Sequence, residues 1–219
     1  MRDVSVCFAI LAHDCPQCVA DLVASIRHFC PGALPVVYNG SSNRGLFRRV
    51  DVPVCPSSRP LSWGHTAGYV LDTMMWVVEE RWAFDFFVVL DSDMLLVNPG
   101  YEAFLQREMG DSEYMAVDFR PAVEPDTDWR PGQEAWAEWS TWGPLLGAEV
   151  PSGAFNPGQA FRRSLVMRIV EHPRRGAIWQ AMETSKAVPL DEIPGPAPRQ
   201  VGRPDGRPTG VCRGWPRRA

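Results

Sequence analysis

Short apolar runs alternate with segments of helical periodicity along the first ninety residues. Residues 4–11 form a continuous apolar run of strand length. Val19, Leu22, Val23 and Ile26 then recur at the spacing of a helix with one buried face. The pattern repeats in strands at 34–40 and 50–55, a helix at 67–82 and a strand at 84–90. This order predicts the α/β class, with a mainly parallel central sheet and helices on both faces.

The second half of the chain is less regular. It predicts a helix over 100–109, a strand over 113–119, an irregular stretch over 121–151, and helices ending at Pro173 and over 175–186. We expect one α/β domain over residues 1–193. The last segment, 194–219, is dominated by Pro, Gly and Arg, which predicts a disordered or truncated tail.

Four tryptophans lie in the stretch that the sequence predicts to be irregular. Indoles in such a loop either pack a lid or line a pocket. We favour Trp139 or Trp142 as a platform for a sugar ring, with packing in the core as the alternative.

Composition narrows the classes of partner. The 219 residues carry a net charge of −4, and no basic helix face precedes the tail, so we expect no nucleic-acid partner. No apolar run approaches the roughly 20 residues of a membrane span, so we expect a soluble, cytoplasmic protein. The six cysteines lack a dense, even framework and are interpreted as cytosolic thiols.

One pair of cysteines has the spacing of a reactive motif. Cys15 and Cys18 form C-x-x-C after Asp14, which we expect to cap the first helix. The pair has no second pair at zinc spacing and lacks the rest of a thioredoxin pattern. We therefore interpret the pair as two thiols on the first turn of the helix, and the alternative is a zinc or redox site.

Two aspartates end the most hydrophobic strand. The run FDFFVVL is followed by Asp91-Ser92-Asp93. If strand alternation continues through this motif, both carboxylates lie on the same side and can hold one Mg²⁺ or Mn²⁺ ion. Such an ion takes its remaining ligands from water and substrate phosphates, which indicates work on a diphosphate. The alternative is that the aspartates cap the helix that begins after Asn98.

Three segments, within residues 4–193, resemble the core-2/I-branching glycosyltransferase family in order and spacing. They are ILAHDCPQCVADLVASIRHFCPGALPVVYNG, SWGHTAGYVLDTMMWVVEERWAFDFFVVLDSDMLLVNPG and SGAFNPGQAFRRSLVMRIVEHP followed by AMETSKAVPLDEI. The resemblance implies an A-type glycosyltransferase fold that is Rossmann-like, a nucleotide-diphosphate sugar donor and an unidentified hydroxyl acceptor. The D-x-D motif departs from the family, whose members typically use basic residues near the C-terminus instead.

The resemblance also implies roles for individual residues. Glu192, beside Asp191, matches the general base of an inverting transfer. His13 and Asn39, at the ends of the first two strands, match positions near the nucleotide. Trp63 and Gly64 match a recurring W-G. The segment 155–159 looks like a turn that walls the donor sugar, with Asn156 and Gln159 as polar contacts and Gly158 allowing close backbone approach.

Several alternatives stay open. Retaining enzymes share strand-end aspartates, so the prediction of an inverting transfer depends on the match at Glu192 alone. Glu192 could instead be a solvated acid with no catalytic role. His13 could be purely structural, and residues 155–159 an ordinary turn. The chain could be an inactive or truncated nucleotide-binding relative. A haloacid-dehalogenase phosphatase also begins with D-x-D, but Leu95 stands where that pattern requires Thr or Val.

Overall fold

Five strands form one sheet in the computed structural model, which describes residues 5–62 and 64–187. The strands are β1 (Val6–Ala12), β2 (Leu34–Asn39), β3 (Phe86–Asp91), β4 (Tyr114–Pro121) and β5 (Ser152–Arg162). Their order across the sheet is β2-β1-β3-β5-β4. The predicted α/β class is confirmed.

The parallel part of the sheet contains the first three strands. β1 lies between β2 and β3 and pairs in parallel with both, with Leu11 opposite Tyr38 and Asp91. All seven residues of β1 are buried, as are the first five of β3. Strands that are apolar on both faces are stable only when both faces are covered, as they are here.

The outer part of the sheet is antiparallel, so the sheet is mixed where the sequence predicts a mainly parallel one. β5 runs antiparallel to both β3 and β4. α3, β4, α4 and α5 lie between β3 and β5 in sequence, and β5 returns beside β3 in the opposite direction, so no parallel crossover joins the two strands. β4 is the edge strand, its pairing with β5 shifts register twice, and its Asp118 has a left-handed φ of 57°.

Seven helices accompany the strands in the described part of the chain. They are α1 (Pro16–Phe29), α2 (Gly68–Glu79), α3 (Tyr101–Met109), α4 (Arg130–Ala137), α5 (Trp139–Leu146), α6 (Arg163–Val170) and α7 (Arg175–Thr184). α1 and α3 pack on the face of the sheet that carries Phe8 and Val88. α2 and α6 pack on the other face, which carries Ala9 and Val89. The apolar spacing seen in the sequence therefore covers both faces.

The beginning of α1 differs from the prediction. Cys15, and not Asp14, is the N-cap residue, and its Sγ accepts the N–H of Cys18 at 3.3 Å. The structure joins Cys15 and Cys18 in a disulfide, so the interpretation of these two residues as free thiols is wrong. The thiols of Cys7, Cys30 and Cys55 are free, as expected, and the structure buries all three.

The tryptophan-rich stretch is helical where the sequence predicts irregular structure. α4 and α5 pack with α7, and Trp139 and Trp142 are 8% and 5% exposed in this small core with Ile178 and Ala181. The Nε1–H of Trp139 donates to the carbonyl of Glu149 at 2.9 Å. The prediction of a sugar platform at Trp139 or Trp142 is therefore wrong, because both indoles are buried in packing.

Two further segments differ from their predicted form. The strand expected over 50–55 is reduced to a single parallel bridge between Val54 and Val37. Residues 155–159, expected to be a turn before a helix, lie inside β5. Among the described residues no helix has the length and apolar character to cross a bilayer.

The burial of α1 against the sheet generates a stability prediction. Leu22 is fully buried between α1 and the sheet, so we expect Leu22→Ala to lower the free energy of unfolding by about 2–5 kcal/mol, as cavity-forming core substitutions do. Urea denaturation followed by circular dichroism measures this. The matched control is Leu95→Ala, at a side chain that is 50% exposed, which should change that free energy by no more than about 0.5 kcal/mol. Equal losses in the two variants would contradict the packing described here.

Candidate active site

The candidate site lies at the edge of the sheet where the three parallel strands end. Ala12 is opposite Asn39, and Leu11 is opposite Asp91, so the ends of β1, β2 and β3 lie side by side. In α/β sheets this carboxyl edge is where ligands bind. The topology therefore brings together His13, Asn39 and Asp91, which are far apart in the sequence.

The D-x-D motif forms a turn and does not extend the strand. β3 ends at Asp91, and the N–H of Met94 donates to the carbonyl of Asp91 at 3.3 Å. Asp91 is half-buried and Asp93 is exposed. The argument from strand alternation is therefore wrong. A four-residue turn nevertheless keeps the two residues at one point of the edge, with Asp93 facing solvent.

The donor atoms at this turn suit a hard cation that keeps part of its water shell. Two carboxylates supply oxygen ligands, and Mg²⁺ or Mn²⁺ sites that act on phosphates commonly use only one or two carboxylates. The described residues contain no group of three or more His, Cys, Asp or Glu placed to hold a metal ion. The residues thus fit an ion shared with a phosphate ligand and not a closed site made of protein ligands.

His13 packs over Gly40 at the end of the neighbouring strand. A Cβ placed on Gly40 would come within 2.6 Å of the His13 Nδ1, so only glycine leaves room for the imidazole. The Nδ1 lies 3.2 Å from the carbonyl oxygen of Gly40. The side chain is exposed and follows β1, so the imidazole forms part of the surface of the edge while it fixes the start of the next loop.

Asn39 organises the loop that follows β2. It is 4% exposed. Its Oδ1 accepts the Oγ–H of Ser41 at 2.8 Å and the N–H of Ser41 at 3.1 Å, and its Nδ2 donates to the carbonyl of Asn43 at 2.9 Å. Both ends of the amide are therefore engaged within the loop, and the side chain holds residues 40–43 in place at the edge.

The segment of β5 beside the end of β3 bulges out of the sheet. Pairing of β5 with β3 ends at Ala160 opposite Val88, so the residues before Ala160 run along the last residues of β3. On the other side, β5 contributes residues 156–159 where β4 contributes only Ala116. In the antiparallel register of β3 and β5, the bulge follows the last paired residue in the direction of the end of β3, where Asp91 lies.

The bulge combines buried amides with an open backbone position. Asn156 and Gln159 are 5% and 4% exposed. The Oδ1 of Asn156 has no hydrogen-bond partner among the described residues, which is costly for a buried acceptor. Gly158 has a left-handed φ of 86°, and among the described residues no heavy atom outside Gly158 and its two chain neighbours lies within 4 Å of the position that a Cβ would take. A ligand could therefore approach this backbone closely.

Three residues singled out from the sequence are outside the described residues. These are Trp63 and the two acidic residues Asp191 and Glu192. The last described residues before the acidic pair are anchored by Glu138, whose carboxylate accepts the Oγ–H of Ser185 at 2.5 Å and the N–H of Lys186 at 2.7 Å. Burial would raise the pKa of Glu138, but these hydrogen bonds, with one from Trp142, lower it.

A buried polar pair beneath the edge is not anticipated by the sequence analysis. The hydroxyl of Tyr38 donates to the Oδ2 of Asp72 at 3.0 Å, and Asp72 is 6% exposed. Burial raises the pKa of Asp72, and the hydrogen bond from Tyr38 and the positive charge of Arg59 offset this only in part. The available signal was an aspartate on the apolar face of a predicted helix, beside Leu71 and Met74.

Arg59 connects this pair to α7. Its guanidinium forms a bidentate ion pair with Glu183 and lies 4.9 Å from the ring centre of Trp179. A Cβ on Gly68, the first residue of α2, would come within 3.0 Å of the Arg59 Nη2. The loop that carries Arg59, the start of α2 and α7 therefore meet closely at position 68, where a larger residue would displace the guanidinium slightly.

A surface cleft lies away from the carboxyl edge. It has a volume of about 540 Å³ and is lined by residues 48–53, which include Arg48, Arg49 and Asp51. Asp51 is paired with Arg27, near the end of α1, at 3.0 Å. Because α1 runs back from the carboxyl edge, the cleft lies near the opposite edge and contains none of the predicted site residues.

Known structures resemble the chain at low identity. Glucosyl-3-phosphoglycerate synthase from Mycobacterium tuberculosis, with Mn²⁺, uridine diphosphate and phosphoglyceric acid, is 13% identical with a TM-score of 0.44, over 82% of this chain and 64% of that one. The same enzyme in complex with glucosyl-3-phosphoglycerate, uridine diphosphate and Mn²⁺ is 14% identical with a TM-score of 0.44, over 86% of this chain and 68% of that one. TarS residues 1–349 from S. aureus is 9% identical with a TM-score of 0.42, over 75% of this chain and 48% of that one. No protein-family model and no curated protein matches the sequence.

The Tyr38–Asp72 pair generates a prediction with a defined pH dependence. A raised pKa means that the folded protein takes up a proton more readily than the unfolded chain. The contribution of Asp72 to stability therefore falls as the pH rises from the ordinary pKa of an aspartate through the folded-state value. We expect Tyr38→Phe to lower the free energy of unfolding by about 1–3 kcal/mol at pH 7, where the carboxylate loses its donor, and by less as the pH is lowered.

Tyr114→Phe is the matched control for this measurement. The Tyr114 hydroxyl is also buried but has no hydrogen-bond partner among the described residues. Its removal should leave the free energy of unfolding unchanged or raise it at every pH. Urea denaturation of both variants between pH 5 and 7 makes the comparison. A Tyr38→Phe loss that does not vary with pH would contradict the role of the Asp72 charge.

Proposed function

We propose that this chain transfers a sugar from a nucleotide-diphosphate sugar to a hydroxyl group of an acceptor, as an A-type glycosyltransferase. The observation that carries the proposal is the position of Asp91 and Asp93. They close a buried central strand at the edge where His13 and Asn39 also lie, beside the bulge of β5. A diphosphate is the ligand chemistry that best accounts for oxygen ligands at the mouth of an otherwise apolar sheet.

Asp91 and Asp93 would hold Mn²⁺ or Mg²⁺ in this proposal. The bound ion would neutralise the negative charge that develops on the departing nucleoside diphosphate. Asp93 faces solvent, and no hydrogen bond or ion pair from the described residues engages its carboxylate, which suits a ligand that meets the ion at the surface. Asp91, half-buried at the strand end, would fix the position of the ion relative to the sheet.

The neighbouring elements would position the donor. The loop held by Asn39 and the imidazole of His13 would border the nucleotide, with Asn39 acting through residues 40–43. The Oδ1 of Asn156 would accept a sugar hydroxyl, which would supply the donor that this buried atom lacks. Gly158 would let the donor sugar approach the backbone, and Gln159 would line the same wall.

The proposed general base is Glu192, with Asp191 beside it. A carboxylate within hydrogen-bond reach of the acceptor hydroxyl would take its proton as the oxygen attacks the anomeric carbon, and the stereochemistry would invert. The support for this role is the sequence resemblance described above. Glu138 anchors Ser185 and Lys186, and so fixes the chain shortly before this acidic pair.

Asp93→Ala tests the donor site. The wild-type chain should melt at a higher temperature with Mn²⁺ plus one of UDP, GDP or TDP than with either alone, because a ligand that binds only the folded state stabilises it. We expect Asp93→Ala to lose this shift and to keep the melting temperature of the ligand-free chain, since the side chain is exposed. Asp91→Asn should weaken the shift less sharply.

Asp111→Ala is the matched control, because Asp111 is an exposed aspartate in the turn after α3. It should keep the full Mn²⁺–nucleotide shift. An unchanged shift in Asp93→Ala would count against the proposed metal ligand.

Glu192→Gln separates binding from transfer. This variant should retain the Mn²⁺–nucleotide shift in melting temperature. It should lose turnover of the sugar nucleotide, measured as release of the nucleoside diphosphate, because an amide cannot accept the proton. Measuring turnover of the matching sugar nucleotide in wild type also distinguishes the enzyme from an inactive nucleotide-binding relative, which would bind without transfer. Full turnover by Glu192→Gln would contradict the assignment of the base.

A further inference from the structure

The C-x-x-C motif at the start of α1 lies on the rim of the candidate active site. Cys15 follows His13 by two residues, directly after β1 leaves the sheet at its carboxyl edge. The side chain of Cys15 is exposed and that of Cys18 is half-buried. This disulfide is therefore accessible to small solutes, in contrast to the buried thiols of Cys7, Cys30 and Cys55.

The disulfide adds little that the packing of α1 does not already provide. It spans only two intervening residues, and a cross-link constrains the unfolded chain less when it closes a shorter loop. α1 is already held on the sheet by four buried side chains: Val19, Leu22, Val23 and Ile26. A purely structural function does not explain why this linkage stands at an exposed helix start.

The local backbone favours an interchange between two redox states. Cys15 has a left-handed φ of 46°, which is unfavourable for a residue with a side chain. In the reduced form the Sγ of Cys15 can remain at the N-terminus of α1, where it already accepts the N–H of Cys18 at 3.3 Å. Thiolates are stabilised at helix N-termini, so the reduced form gains a favourable local arrangement, whereas the oxidised form holds Cys15 in an unfavourable backbone conformation.

We infer that Cys15 and Cys18 form a reversible thiol–disulfide switch that reacts with small dithiols and sets the conformation of residues 13–15. This goes beyond the proposed sugar transfer and does not depend on it.

Reduction proceeds by thiol–disulfide exchange. One thiolate of a dithiol attacks the Sγ of Cys15, the S–S bond breaks, and Cys18 leaves as a thiolate that takes a proton from water. The second thiolate of the dithiol then attacks the sulfur of its own molecule in the mixed disulfide and expels Cys15. Two electrons pass to the protein and the dithiol becomes a cyclic disulfide. The oxidised dithiol reverses the sequence.

The inference predicts which cysteines become reactive. The full chain is equilibrated with mixtures of reduced and oxidised dithiothreitol, alkylated without denaturant, and mapped by peptide mass spectrometry. We expect Cys15 and Cys18 to gain alkyl groups together as the mixture becomes reducing and to lose them on reoxidation. Cys7, Cys30 and Cys55 are internal controls, since burial raises the pKa of the first two to about 12 and of the third to about 11.

The conformational part is read from the ring of His13. Its cross-peak in a histidine-selective carbon–proton spectrum, assigned with His13→Gln, should shift on reduction, whereas that of His172, which follows α6, should not. Cys15→Ser is the matched variant: its hydroxyl can still accept the N–H of Cys18 as an N-cap, but it cannot form the disulfide. Its His13 signal should be insensitive to dithiothreitol.

Two results would overturn the inference. One is failure of Cys15 and Cys18 to become alkylated under reducing conditions, or their alkylation before any reductant is added. The other is a His13 signal that is identical in the oxidised and reduced chain. Neither readout uses a metal ion or a nucleotide, so a failed donor-site assignment would leave this result unaffected.

Discussion

The pairing of two strands that are apolar on both faces, up to the terminal Asp91, is the constraint on which the rest of the structure depends. β1 and β3 bury side chains on both faces, so helices must cover both sides, and polar groups are accommodated only where the strands end. Because β1, β2 and β3 run in the same direction, their polar termini meet at one edge. The candidate site is thus a consequence of packing before any chemistry is considered.

Local patterns in the sequence were sufficient for this core and insufficient for the elements added outside it. The apolar runs and helical spacings predicted β1–β3, α1 and α2, and with them the convergence of His13, Asn39 and Asp91. The antiparallel insertion of β5 was not predictable, because strand order depends on long-range pairing. The bulge in β5 was interpreted as a turn, since Pro157 and Gly158 are typical turn residues and only pairing partners reveal a strand.

The pKa values of Asp72 and Glu138 shift in opposite directions because burial outweighs the donors around the first, and the donors outweigh burial around the second. Asp72 lies beneath the edge with one phenol donor and has a raised pKa, whereas Glu138 is surrounded by several donors and has a lowered one. Neither was identified from sequence, because burial and donor number are properties of the tertiary structure. Asp72 gave one recognisable signal, an acid on an apolar helical face, and Glu138 gave none. Asp72 joins α2 to β2 through Tyr38, and Glu138 joins the start of α5 to the chain after α7.

The irregular outer strand has a consequence for how the molecule behaves in a crowded solution. A regular edge strand offers unpaired N–H and C=O groups to a second molecule and promotes aggregation. β4 is interrupted by two register shifts, by the left-handed backbone of Asp118 and by the charged Arg120. These features leave no long flat template for strand addition, so the same distortion that opens the β5 bulge also protects the exposed side of the sheet from intermolecular pairing.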